Sequence, residues 1–225
     1  IYVNKATGND AYDGLAPDRA KRCLRPAFNL IPALADPGGT LEHVLCIAPG
    51  YYQEILDQGL FYFAGRPIKV IAPMGPGRTM VLANFTLNEP AAAPAWISGL
   101  SFDGSQAIRV SAIAPVRIRN CQFNSSATNG GAIFVDAGNA LLPNDFVTVE
   151  NCQFLACSAT YGGAVNLQQT RAIIRNCLFR GCSATMRGGA VYLDKNYSVT
   201  IEDCEFTSCR TTNSGHGGAA AIIGG

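Results

Sequence analysis

The sequence predicts an all-β fold, a parallel β-helix (a β-solenoid) with a short N-terminal capping helix. Three observations predict it. One phrase recurs four times: Asn120-Cys121-Gln122-Phe123, Asn151-Cys152-Gln153-Phe154, Asn176-Cys177-Leu178-Phe179 and Asp203-Cys204-Glu205-Phe206. Each copy is followed by Gly-Gly-Ala, at 130–132, 162–164, 188–190 and 217–219. Each is preceded by a short alternating run, such as Val147-Thr148-Val149-Glu150. The phenylalanines lie 31, 25 and 27 residues apart, the period of stacked repeat units. The apolar pattern has period two in short runs broken by Gly, Asn, Ser and Thr, which is strand chemistry, not helix chemistry. About three such runs fit each repeat, so one coil of three strands stacked on the next is expected, with like residues about 4.8 Å apart.

Reading the repeats as columns sharpens this. The phenylalanines form one inward column, beginning at Phe102. Asn120, Asn151, Asn176 and Asp203 form a turn column, where Asn and Asp tolerate left-handed backbone. After each Gly-Gly-Ala, Ile133/Val165/Val191/Ala220 and Val135/Leu167/Leu193/Ile222 are expected to point inward. Arg119, Glu150, Arg175 and Glu202 alternate in sign, as stacking at strand spacing favours.

The Gly-Gly-Ala-[Ile/Val] tetrads with Phe-x-x-x resemble the repeats of the polymorphic outer-membrane protein family, surface-exposed right-handed β-helices of the wider pectin-lyase-like group. The resemblance covers about residues 97–225. It implies a right-handed helix at an extracellular or cell-surface location. The chain departs from that family three residues after the Phe, where Ser126, Cys157, Cys182 and Cys209 replace the usual Asn.

Residues 1–40 read as an opening strand, a turn-rich loop and a cap, and 41–225 as coils. Asp10 and Asp13 in the loop are expected to serve a turn and not calcium. Pro26 suits the first turn of a capping helix and Pro32 interrupts it. Ile68–Ala72, Thr79–Ala83 and Trp96–Phe102 read as strands of earlier, less regular coils. Residues 88–95 and 139–145 read as protruding loops. The final residues, 217–225, align with a strand that earlier copies continue. Further coils of a longer chain, or a head-to-tail neighbour forming a filament, are therefore expected there.

Of nine cysteines, seven fall in two repeat columns. These are expected to be small buried hydrophobes, with interstrand disulfides as the rival. Cys23 beside the cap and Cys46 on the following strand are expected to form a disulfide. His43 and His216 are isolated, so no zinc-type metal site or cofactor is expected. Sequons at Asn84, Asn124 and Asn196 mark candidate glycosylation sites. Charged residues make up 15% and the net charge is +1, with no basic stripe for nucleic acid and no apolar run long enough for a membrane span.

Candidate chemistry sits on the outward columns of the Gly-Gly-Ala strands. Phe134, Asn166, Tyr192 and Gln168 form a candidate surface for polysaccharide or cell-surface glycan. Asp136 and Asp194, two coils apart, are the acids of an alternative reading, a polysaccharide lyase or glycoside hydrolase. Gln168 between them and the absence of a His or Arg-Lys cluster favour a non-catalytic structural or adhesive module.

Overall fold

Parallel, in-register pairing places each repeat directly over the last. The computed structural model describes residues 1–31, 42–53, 60–62, 67–87, 94–104, 108–111, 115–125, 127–128, 130–137, 146–213 and 217–223. Ser126, His216, Pro32, residues 88–93 of the loop expected at 88–95 and the loop expected at 139–145 lie outside them, and Ala95 opens the strand Ala95–Ser98. Among the described residues all the strand pairing is parallel, as a β-helix requires. One full coil runs through Val147–Glu150, Gln153–Leu155, Ser158–Tyr161 and Val165–Gln168 before entering Arg171–Arg175. These strands belong to four sheets, here I to IV in that order. Among the described residues, sheet I has eight strands, II and IV seven each, and III four.

Three strands per coil were expected; the second half of the chain has four. The extra strands, Ser158–Tyr161 and Ser183–Arg187, pair in sheet III with a register shift near Tyr161. Their Ser-Ala-Thr sequence lacks the apolar alternation that marks the other strands.

Turn chemistry explains where the chain changes direction. Asn120, Asn151, Asn176 and Asp203 all hold φ of 51–53°, between sheets I and II. Ser125, Ala156, Gly181 and Ser208 do the same between II and III, at φ of 48–65°. In the Gly-Gly pair, Gly188 has φ of 62°. A Cβ on Gly189 would lie 2.1 Å from the Gly218 carbonyl oxygen, so the next coil approaches too closely for any side chain.

The interior is a stack of identical layers. Phe102, Phe123, Phe154, Phe179 and Phe206 stack with nearly parallel rings, centroids 4.7–5.1 Å apart. Phe85 meets Phe102 edge-on at 5.3 Å, and Phe28 reaches Phe85 at 5.7 Å. Phe28 belongs to the helix Leu24–Leu30, whose Leu24, Ala27 and Phe28 are buried. The helix therefore caps the same aromatic column that the repeats build. Asp10 and Asp13 serve the loop: Asp10 accepts from the backbone N–H of Arg22 and Cys23, and Asp13 from that of Leu15 while pairing with Arg19.

The expected Cys23–Cys46 bridge is not formed; both are thiols. The topology explains this. Tyr2–Val3 runs between the two segments: Tyr2 pairs with Cys46, and Val3 pairs with Lys21 on its other side. Two strand spacings, about 9.6 Å, separate the lines of chain, beyond disulfide reach. Cys46 is instead half-buried beside Tyr2, and burial raises its pKa.

Candidate functional site

Sheet IV brings the expected residues into two adjacent columns. Phe134, Asn166, Tyr192 and Ala221 are successive register partners, and so are Asp136, Gln168, Asp194 and Ile223. The lower-numbered coils extend the first column through Thr86 and Arg109, whose guanidinium lies 5.0 Å from the Phe134 ring centroid.

The columns differ in accessibility. Asn166 is 1% exposed and Tyr192 6%. Tyr161 of sheet III packs on Tyr192 at 5.0 Å. Arg187, also of sheet III, hydrogen-bonds Tyr192 and pulls its phenol down, yet burial and then the Asp194 charge leave its pKa raised. The fourth strand thus folds against this column, and Tyr192 and Asn166 act as supports. Phe134, Asp136, Gln168 and Asp194 are half-buried and reachable. Gln168 Nε2 donates to Asn166 Oδ1 at 3.2 Å, which orients the amide standing between the two carboxylates. Asp136 and Asp194 are two rungs apart, about 9.6 Å by strand spacing.

Sheet I carries an arrangement that sequence reasoning missed. Lys69, Trp96 and Arg117 are register neighbours. The Lys69 ammonium lies 4.0 Å from the Trp96 ring centroid and the Arg117 guanidinium 5.4 Å, and Lys69 also pairs with Glu42 at 2.7 Å. Lys69 and Trp96 come from the less regular coils and Arg117 from the first regular one, so only the register could reveal it.

The sequons sit differently. Asn84 and Asn124 are half-buried on strands of sheets IV and II. Asn196 ties two coils together: Nδ2 donates to Leu167 O at 2.9 Å and Oδ1 accepts from Thr170 N at 3.0 Å. Among the described residues, no three His, Cys, Asp or Glu side chains converge as a metal-holding group.

Residues 97–223, more than half of the chain, match the family described as a right-handed beta helix region. No curated protein and no solved structure matches the chain.

Proposed function

We propose that this chain, which belongs to the right-handed β-helix family, is a non-catalytic extracellular or cell-surface module that adheres to polysaccharide or surface glycan. Its contact surface is the reachable part of sheet IV: the Phe134 ring for apolar sugar faces, and Gln168, Asp136 and Asp194 for hydroxyls. Repeats like those of the polymorphic outer-membrane proteins fit a displayed adhesive surface.

The single observation behind a non-catalytic reading is the rung order Asp136, Gln168, Asp194. An inverting glycosidase needs its two carboxyl groups roughly 6.5–9.5 Å apart with a water between them. Here an amide already bonded to Asn166 fills the intervening rung. The second reading, a polysaccharide lyase or glycoside hydrolase, draws on the spacing, because about 9.6 Å lies just above that range.

Incubating the protein with neutral and uronic polysaccharides tests the choice. Retention on the polymer without new reducing ends or unsaturated products is the expected result. Product formation that Asp136→Asn or Asp194→Asn abolishes would replace this reading with the enzymatic one.

A further inference from the structure

Seven thiols stack along the interior in two columns. Cys121, Cys152, Cys177 and Cys204 precede register-paired strands of sheet II, and Cys157, Cys182 and Cys209 precede those of sheet III. Every thiol repeats the side-chain geometry of its neighbour. In the first column each Sγ lies 3.2–3.3 Å from the carbonyl oxygen two residues earlier. In the second, each Sγ lies 3.4–3.5 Å from a phenylalanine carbonyl of the preceding coil. Identical rotamers on stacked strands put successive sulfurs one rung apart, about 4.8 Å.

That spacing selects chemistry. A disulfide needs sulfurs 2.0–2.1 Å apart and Cβ atoms near 3.8 Å, so oxidation of neighbouring rungs would require both side chains to leave the rotamer they share and the two strands to draw together locally. A metal–thiolate bond is about 2.3 Å, so a linear S–metal–S unit spans about 4.6 Å and fits the rung as it stands. Three or four donors do not converge here, which disfavours zinc. Soft ions that accept two sulfurs remain.

We propose that neighbouring ladder cysteines, foremost Cys152 with Cys177 and Cys157 with Cys182, form two-coordinate sites for a soft closed-shell ion such as Cu(I) or Ag(I). One thiol gives up its proton and binds as thiolate. The next binds as neutral thiol through a sulfur lone pair. The ion's single charge is balanced, one proton leaves for each ion bound, and no electron is transferred. Neutrality matters because an uncompensated charge in this apolar interior would be costly. Burial above all raises the Cys152 pKa and the Cys157 thiol pushes that of Cys182 up to about 12, whereas the hydrogen bond with Cys152 lowers that of Cys177, so within the first pair Cys177 is the thiol that gives up its proton. Binding should therefore tighten as pH rises.

The test uses Ag(I), which needs no reductant, on the 225-residue chain carrying Cys23→Ser and Cys46→Ser. X-ray absorption should show two sulfurs per silver, with one proton released per ion. Cys152→Ala, Cys177→Ala and Cys182→Ala together leave four ladder thiols but no adjacent pair. Tight silver binding should fall at least tenfold in that variant. Cys121→Ala with Cys157→Ala keeps adjacent pairs and should retain it. Three- or four-sulfur coordination in the parent chain, or no uptake by it, overturns the proposal whether or not the triple variant folds. Equal uptake by the folded triple variant also overturns it. Glycan retention is unaffected by either outcome.

Discussion

Arg175 holds one oxygen of Glu150 with two donors: Nε at 3.0 Å and a terminal nitrogen at 2.6 Å, across one rung of sheet I. Arg119, on the other side, reaches the second oxygen of Glu150 only at 4.0 Å. The alternating column is thus real but uneven. Its role is to fix register, because a one-residue slip would also turn the buried face of each strand outward. Replacing Glu150 with Gln should lower the thermal midpoint slightly, and more at low salt than at high salt. Glu150→Arg, which stacks three like charges, should lower it clearly further. Equal midpoints for the two variants would show that the column contributes nothing to register.

The aromatic column should dominate stability. Phe154 is fully buried, with stacked rings 4.8 Å away on both sides. Phe154→Ala should cost about 3–5 kcal/mol. Phe154→Leu keeps most of the bulk but loses two ring contacts worth about 0.5–1.5 kcal/mol each. Urea unfolding gives both values; a Leu variant as stable as the parent would show that bulk alone matters.

Much of this architecture was legible because in-register stacking writes one structural position as one residue type. The Phe102–Phe206 column, the left-handed Asn turns, the inward Val191 and Leu193 and the pairing of Asp136 with Gln168 all follow from aligning four copies. What stayed hidden lacked that repetition. The sheet III strands carry no apolar alternation, so the covering of Tyr192 by Tyr161 and Arg187 was invisible, and Tyr192 and Asn166 looked available for ligand. Cys23 and Cys46 were close in sequence logic but separated by Tyr2–Val3, whose pairing on both sides no local motif announces.

Ala156 holds a left-handed conformation, φ 53°, in the column where the next coil has Gly181. A methyl on Gly181 would meet nothing closer than the Ala156 Cα at 4.0 Å, so only backbone conformation resists it. Gly181→Ala should cost about 1 kcal/mol and Ala156→Gly should stabilise by up to about 1 kcal/mol. Denaturant midpoints moving the other way would contradict the turn assignment.

Asp10 carries a pH signature. Burial pulls its carboxyl upward, but hydrogen bonds from Cys23 and Arg22 and the Lys21 charge leave the pKa below the ordinary value of 3.8. A depressed carboxylate stabilises the fold above its unfolded pKa and loses that contribution as pH falls through the folded value. Asp10→Asn should therefore be less stable than the parent at pH 7, with the gap closing below about pH 4. A gap of constant size across that range would mean that the charge is not its source.

The most direct test of the adhesive assignment is equilibrium binding to a polysaccharide panel, with polymer length followed in the same samples. The account predicts saturable binding, a several-fold weakening by Phe134→Ala or Gln168→Ala, and no shortening of the polymer. Polymer cleavage that depends on Asp136 or Asp194, or binding indifferent to both sheet IV variants, would contradict it.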